Sequence, residues 1–235
     1  MDSKTRKDLK TDKFAEEVGH TFEFLSLHRS EVQRYGIIAA VILVLAGGWY
    51  FYSRYQAGQR VEALAQALRV DDATVGAQAQ PPLMNFPTLG EKEQAVKKAF
   101  ADLAAKYHGT QEAAIAQMNL AASAVDKADL ATAEKIYKDV IDSAPAPYAS
   151  VATVALANIY TTQNKHPDAE KLLRALVDHP TTFVSKEAAT IHLAEALSAT
   201  NPAEARKMLE PLRTARSSVS RAAIAALGKI PQTSN

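Results

Sequence analysis

Three copies of one two-part pattern occupy the second half of this chain at nearly constant spacing. The first part is a Leu-Ala pair that recurs after 36 and then 37 residues, at Leu120-Ala121, Leu156-Ala157 and Leu193-Ala194. The second part begins with an alanine and recurs every 36 residues, at Ala133, Ala169 and Ala205. Self-similarity at this period indicates helical hairpins that stack on one another, because a single hairpin cannot bury its own apolar face.

The residue types at the repeated positions suit helices in close contact. The two alanines of each copy are near enough in sequence to face each other across a short turn, and the third pair is one residue closer than the other two. A large residue follows four positions after the second alanine, at Tyr137, Leu173 and Leu209, where it can fill the space between adjacent hairpins. Phe100 lies 37 residues before Tyr137, so we expect residues 91–107 to be the second helix of an incomplete leading repeat.

Helix signals continue from residue 91 to about residue 227. Apolar spacing and end signals predict eight helices, at 91–107, 111–125, 130–143, 149–163, 167–178, 185–199, 202–213 and 217–227. Pro167 and Pro202 fall at first-turn positions, where the missing N–H costs nothing. Gly109, Pro145 and Pro180 fall between hairpins, where a helix must stop.

The repeated pattern resembles the tetratricopeptide repeat. Its small residues, its later aromatic or leucine and its closing proline match in two copies, at Ala121, Ala133, Tyr137 and Pro145, and at Ala157, Tyr160, Ala169, Leu173 and Pro180. The third copy is one residue shorter at its turn and has Leu197 where the family often has tyrosine. The resemblance implies an all-α fold, a tetratricopeptide-repeat-like α-solenoid of stacked hairpins. The alternative is a non-repeating alanine-rich bundle.

In tetratricopeptide domains the first helix of each hairpin lines a concave face that binds other proteins. The repeat register assigns a protein-binding groove to nine residues: Met118, Ala122, Val125, Val154, Asn158, Thr161, Ile191, Glu195 and Ser198. This strip is neutral and partly apolar, so it favours extended or partly unfolded segments over a terminal carboxylate, which needs a basic cluster. In the alternative, Leu83, Met84 and Phe86 of the preceding linker cover part of the strip and close it.

A second feature is the apolar segment from Tyr35 to Ser53, which contains no charged residue. A helix of this length spans roughly the hydrocarbon core of a bilayer. Aromatic residues cluster at its end, at Trp49, Tyr50, Phe51, Tyr52 and Tyr55, as at a membrane interface. The alternatives are a buried core helix and the apolar region of a signal peptide, which would lie nearer the start and precede a cleavage site.

The short N-terminal tail is rich in lysine and arginine, which favours a cytoplasmic N-terminus and an extracytoplasmic C-terminal domain. Within this tail, a helix with an apolar stripe is expected from Asp12, either on the membrane surface or on a partner helix. The alternative is a helix that only extends the membrane span and is poorly ordered without its neighbours. We therefore predict five segments: a charged tail with an amphipathic helix (1–34), a transmembrane helix (35–53), a juxtamembrane helix and Pro/Gly linker (54–90), the repeat domain (91–228) and a disordered tail (229–235).

Composition and motifs argue against several functions. Lysine plus arginine balance aspartate plus glutamate, 27 against 26, which argues against nucleic-acid binding, and the absence of cysteine excludes disulfides and thiolate sites. The chain lacks a Gly-rich phosphate loop, a Gly-x-Ser-x-Gly elbow and a His-Glu-x-x-His motif. The six histidines are scattered. We expect no catalysis, no cofactor, no metal site and no small-molecule substrate.

The whole layout resembles the YfgM-like single-span proteins, the ancillary subunits of the bacterial Sec translocon. The resemblance covers the span, the helix that follows it and the stretch from Phe100 to Thr110, followed by Leu120-Ala121. It implies an adaptor on the outer side of the bacterial inner membrane, in the periplasm. Its protein partners would be translocon components, emerging envelope proteins or chaperones.

Two other functional hypotheses remain open at this point. The first is a structural scaffold subunit of a stable envelope or cell-division complex, which a stoichiometric, salt-resistant partner would favour. The second is an enzyme or a regulated sensor whose membrane helix relays a signal to the N-terminal tail. Loss of residues 1–34 without any phenotype would argue against the sensor.

Overall fold

A computed structural model describes residues 29–76, 84–214 and 217–231. In this part of the chain there are nine α-helices: α1 (Arg29–Asp71), α2 (Leu89–Lys106), α3 (Gln111–Asp126), α4 (Leu130–Ser143), α5 (Ala146–Thr162), α6 (His166–Asp178), α7 (Lys186–Leu197), α8 (Pro202–Leu209) and α9 (Ser217–Lys229). Two short parallel strands, β1 (Thr74–Val75) and β2 (Asn85–Phe86), precede α2. The helix expected from Asp12 lies, up to residue 28, outside the described residues.

All eight helices predicted after residue 90 are present, and their ends agree within three residues except at α8. The prediction of one α-helix over 202–213 is wrong in its second half. There α8 ends at Leu209 and the chain tightens into a 3₁₀ turn over Glu210–Thr214. Pro211 explains the change, because it has no N–H to donate to the Lys207 carbonyl and its ring would clash with that group.

Side-chain caps fix where most of these helices begin. An oxygen of the residue before the helix accepts a backbone N–H of the first turn at Thr88, Thr110, Asp129, Ser185 and Asn201. Each cap satisfies a donor that has no partner within the helix. Helices α5 and α6 have no side-chain cap and carry a proline in the first turn instead. Local sequence therefore sets the helix boundaries.

The chain divides into two compact units, Met1–Gly58 and Gln59–Asn235, and α1 contributes residues to both. In the first unit, the described residues all belong to α1. Their large apolar side chains, such as Ile37 and Leu43, are exposed. Its most apolar window has a mean hydropathy of 1.8 and no buried residue. Among the described helices, α1 is the one long and apolar enough to span a membrane.

In the second unit, α3 to α8 form three antiparallel hairpins, each in contact with the next. The six repeated alanines are completely buried: Ala121, Ala133, Ala157, Ala169, Ala194 and Ala205. The large residues expected between hairpins are buried as well: Phe100, Tyr137, Leu173 and Leu209. The small residues allow close backbone approach, and the large ones fill the remaining space to close-packed density. The all-α solenoid prediction is confirmed.

The incomplete leading repeat is completed by the last residues of α1. Ala67, which is 3% exposed, belongs to a core cluster with Phe100, Leu103 and Ala116. The end of α1 thus occupies the place of a first helix, and α2 is its second helix, as the position of Phe100 predicts. The hairpin pattern therefore begins before residue 91.

Two of the hairpin turns place a non-glycine residue in the left-handed region. Ala128 has φ 58° and Asn164 has φ 59°, at equivalent positions of consecutive repeats. At the first turn, the N–H groups of Ala128 and Asp129 donate to the carbonyls of Val125 and Ala124. The second turn repeats these two bonds, which together form a Schellman motif. The third turn lacks one residue and bonds differently, with both Thr200 and Asn201 donating to the Leu197 carbonyl.

Helix α9 packs against the end of the stack, with Ala223, Ala226 and Ile230 buried. Nη2 of Arg206 donates to the carbonyls of Ile230 and Pro231, 2.9 and 3.1 Å away. A disordered tail is predicted from the sequence over residues 229–235. The structure describes that segment as far as Pro231, with Lys229 inside α9 and residues 232–235 outside the described part.

Candidate functional site: the concave face

The first helices of the three hairpins, α3, α5 and α7, contact one another in series. Each turns one line of side chains outward from this stack. The predicted groove residues that face outward most are those that directly follow the buried alanines Ala121, Ala157 and Ala194. Of these, Ala122 and Asn158 are exposed, and Glu195 is half-buried. These three residues form the centre of the candidate protein-binding strip.

The predicted groove residues four positions after the buried alanines are partly available. The side chain of Val125 is 38% exposed. The hydroxyls of Thr161 and Ser198 are half-buried and donate to carbonyls of their own helices, those of Ala157 and Glu195. These two hydroxyls therefore carry little free hydrogen-bonding capacity as donors.

The three predicted residues that precede the buried alanines by three positions have less accessible surface than the others. Met118 and Val154 are half-buried and pack against the hydrophobic core. Ile191 is 7% exposed and is a member of that core. The structure thus places Ile191 beneath the strip, where it supports the backbone of α7 and has little surface of its own.

Other residues share the outward line and are absent from the sequence-based assignment. Ala155 and His192 lie two positions before the buried alanines, and Val151, 37% exposed, lies six before. The signal for them is helical geometry: a helix turns about 100° per residue, so positions three, four and seven away from Asn158 share its face. The repeat register aligns equivalent positions but does not say which way they point.

Charge on the strip is largely compensated. Oε1 of Glu195 accepts from Nζ of Lys229 at 3.2 Å, and Oε2 lies 3.4 Å from Nδ1 of His192. The His192 ring, followed by Lys229, holds the pKa of Glu195 below its usual range, with burial opposing. Because Lys229 already compensates this carboxylate and the His192 ring lies beside it, the strip near α7 offers little electrostatic attraction.

At its leading end, the face opens into a cavity of about 410 Å³. We call it the leading cavity. It lies between the end of α1, the start of α2 and the end of α3, and Ala122 is part of its lining. Val96, Phe100 and Leu120 supply apolar surface, and charged side chains supply the rim. Its volume falls within the range of about 300–1,000 Å³ that is typical of ligand pockets.

Of the three linker residues predicted to cover the strip, the structure describes Met84 and Phe86. The Met84 carbonyl accepts from the N–H of Thr74 at 2.9 Å, and the Phe86 carbonyl accepts from that of Gly76 at 3.0 Å. These bonds pair the linker with the residues that follow α1. Leu83 lies outside the described residues, so a linker that closes the groove stays a prediction.

Among the described residues, no group of three or more His, Asp or Glu is arranged to hold a metal ion. His108 approaches Asp139 at 3.4 Å, and the same carboxylate accepts from the Gln117 amide across the hairpin. This is an ordinary bridge between helices. His20 and His28 lie outside the described residues.

Stacked helical hairpins with an accessible inner strip define a protein-interaction solenoid. The family model described as a tetratricopeptide repeat-like domain matches residues 33–188. That match covers more than half of the chain, so the chain belongs to this family. It begins within α1 and ends at the start of α7. No match was found among curated proteins or among solved structures. Repeats of this type are in general non-catalytic modules that bind other proteins.

Proposed function

We propose that this protein is a membrane-anchored adaptor that binds other proteins through its concave face and carries out no catalysis. In this proposal, residues 35–53 cross the bacterial inner membrane with the N-terminus in the cytoplasm. The repeat domain then lies in the periplasm, at or near the Sec translocon or an envelope chaperone network. The uncharged stretch, its exposed apolar side chains and the basic N-terminal tail support this arrangement.

The observation that carries the proposal is the continuity of α1 from Arg29 to Asp71. One helix contains the apolar stretch and also supplies Ala67 to the core of the leading hairpin. In this proposal, the membrane helix tethers the repeat domain to the bilayer through the chain itself. The effective concentration for membrane-associated clients then rises without any new contact.

The surface chemistry of the strip supports extended, partly apolar protein segments as clients. Ala122, Val125 and Val151 offer apolar surface, and Asn158 offers an amide for backbone groups. Translocon components, emerging envelope proteins and chaperones are the partners that the resemblance to YfgM-like proteins suggests.

Site-specific photocrosslinking in membranes tests the proposal. A benzophenone amino acid is placed at Asn158 on the concave face of the full chain, or at the exposed Lys171 on α6 as a matched control. We expect crosslinks to translocon components or emerging envelope proteins from Asn158 and few from Lys171. Equal yields from both positions, or no such protein from either, would contradict the adaptor function.

Two further readouts separate the alternatives. A topology reporter fused after Asn235 should report an extracytoplasmic location, and a cytoplasmic one removes the translocon from the proposal. A single stoichiometric partner that stays bound in high salt would instead indicate a scaffold subunit of a fixed envelope or cell-division complex.

A further inference from the structure

The leading cavity follows from the connectivity of the first hairpin. In the first full hairpin, a tight turn between α3 and α4 brings the facing alanines Ala121 and Ala133 together. In the leading hairpin, the chain between Ala67 at the end of α1 and Val96 in α2 is far longer because it includes β1, β2 and the linker. A long connection does not force the end of α1 tightly onto α2 and α3. The space between the three helix ends remains as the cavity of about 410 Å³.

In the described part of the chain, no other residue covers the apolar surface of this cavity. Phe100 forms part of the buried core beneath it, and Val96 and Leu120 are only half-buried. Leu89 at its edge is 61% exposed, and Ala122 is exposed beside it. Removing such apolar surface from water is favourable. An apolar side chain of suitable size would therefore be attracted to this place.

The rim carries two carboxylates at the C-terminal ends of helices, where the helix dipole disfavours negative charge. Asp71 is the last residue of α1 and Asp126 is the last residue of α3, and both line the cavity. The C-terminal end of a helix carries partial negative charge, so a carboxylate there is repelled. Within the described residues, neither Asp71 nor Asp126 forms a side-chain hydrogen bond or an ion pair. A cation between them would relieve this repulsion.

The remaining charges of the rim are three lysines and one glutamate. Lys127 forms an ion pair with Glu93, so these two charges compensate each other and neither is available to a bound segment. Lys97 acts on Asp129, whose pKa it helps to lower after the Thr132 hydrogen bonds. Lys92 lies on the α2 wall of the cavity. The free negative charge is therefore found at the ends of α1 and α3, and the positive charge on α2.

We propose that the leading cavity binds an extended protein segment in which apolar side chains stand next to a lysine or arginine. The apolar side chains cover Val96, Leu120 and Leu89, and the cation lies between Asp71 and Asp126. Charge complementarity at the two helix ends selects a basic partner. This inference rests on the proposed function, since it assigns one client chemistry to one end of the concave face.

Binding of defined peptides to the full chain tests the inference. The chain is placed in nanodiscs of phosphatidylcholine, whose zero net charge avoids lipid binding of cationic peptides. The probe is fluorescein-labelled Gly-Ser-Leu-Phe-Leu-Lys-Lys-Ser, read by fluorescence anisotropy. One matched peptide carries Glu in place of both Lys, and another carries Ser in place of the three apolar residues. We expect each change to raise Kd by about tenfold or more.

Variants locate the site. Ala122→Trp fills the cavity, and Ala175→Trp makes the same change at an exposed position of α6, outside both the cavity and the strip. We expect the Ala122 variant to weaken binding of the basic peptide by about tenfold and the Ala175 variant by less than about twofold. The double change Asp71→Asn with Asp126→Asn should abolish the preference for Lys over Glu. Asp102→Asn with Asp142→Asn, at exposed positions outside the cavity, should preserve it.

Equal peptide affinity in the two tryptophan variants would overturn the inference. So would a change in self-association in ultracentrifugation with unchanged peptide binding, because the cavity would then be an interface between copies. If crosslinks from Asn158 persist while the peptide shows no preference, this inference fails and the adaptor function stands. If the wild-type chain gives no crosslinks at all, the adaptor function fails as well.

Discussion

Oε2 of Glu112 lies 3.4 Å from Nε of Arg60, and this ion pair joins α1 to the first full hairpin. Glu112 is 3% exposed, and its other oxygen accepts from the Gln111 amide at 3.0 Å. Arg60 is the cation that compensates a carboxylate removed from water. A buried charge without its partner is costly, so the pair ties the end of α1 to the repeats.

Removing the cation should therefore loosen the leading hairpin. We expect Arg60→Met to lower the free energy of unfolding by about 2 kcal/mol, less than for a fully buried pair because Arg60 is partly exposed. Arg60→Met with Glu112→Gln should recover much of the loss. Arg69→Met, which breaks the exposed pair with Glu62, should leave the free energy of unfolding almost unchanged, because solvent screens that pair. Urea unfolding followed by circular dichroism measures all three, and similar losses for Arg60 and Arg69 would contradict this role.

The strained turn at Ala128 predicts a stabilising substitution. With φ 58°, an alanine there has its Cβ against the following carbonyl, and glycine does not. We expect Ala128→Gly to raise the free energy of unfolding by about 0.5–1 kcal/mol. Asn164→Gly should gain less, because asparagine tolerates this conformation. Ala122→Gly, in a helix interior, should lose about 1 kcal/mol. A destabilised Ala128 variant would refute the turn geometry.

The completely buried alanines predict intolerance of larger side chains. Ala169→Leu forces three extra carbons between α5 and α6, so we expect a loss of about 2–3 kcal/mol or a failure to fold. Ala175→Leu introduces the same atoms on the exposed side of α6 and should change stability by less than about 0.5 kcal/mol. Thermal unfolding of both variants provides the comparison. Tolerance of leucine at Ala169 would mean that the hairpins do not approach closely there.

Glu134 predicts an acid-sensitive contact between the first and second hairpins. Nζ of Lys138 lies 2.7 Å from its Oε1, and this bond lowers the pKa of Glu134, with burial opposing. The Tyr160 hydroxyl, which donates to the same oxygen at 3.2 Å, lowers the pKa further, as does Lys165. The folded state thus holds its proton less tightly than the unfolded state, whose ordinary value is 4.5.

The sign of the effect follows from linkage. The contribution of Glu134 is complete above pH 4.5 and is lost as the pH falls through the lower folded-state pKa. We expect Glu134→Gln to be less stable than wild type at pH 7 and the difference to disappear in acid. Tyr160→Phe should reduce the difference without removing it. A stability gap that stays constant between pH 7 and pH 3 would contradict this account.

The apolar stretch of α1 predicts sensitivity to a central charge. Leu43→Arg should disfavour membrane insertion by about 2.5–3.5 kcal/mol, because an arginine at the bilayer centre is poorly solvated. Gln59→Arg, beyond the uncharged stretch, should insert normally. The fraction of each variant retained in carbonate-washed membranes measures the effect. Equal retention would show that residues 35–53 do not cross the bilayer.

Helix positions and hairpin pairing could be predicted because their causes are local. The caps Thr110, Asp129 and Ser185 and the breaks at Gly109 and Pro145 act within a few residues. The repeat itself identified the buried alanines. The difference at α8 has a local cause too, because Pro211 breaks the α-helix within its own turn. The exposed line of the concave face was predicted only in part. Ile191 was assigned to it but is buried, and Val151 is exposed on it but was not assigned.

By itself, the sequence determined that the chain forms repeated helical hairpins after one apolar helix. Periodicity and residue size encode those features along a short stretch of chain. The tertiary structure alone decided that the end of α1 completes the leading hairpin and that a cavity opens beside Asp71 and Asp126. It also decided which side of each first helix remains exposed. These features depend on how helices distant in sequence pack, and the spacing of residues along one helix does not specify the rotation or separation of its neighbours.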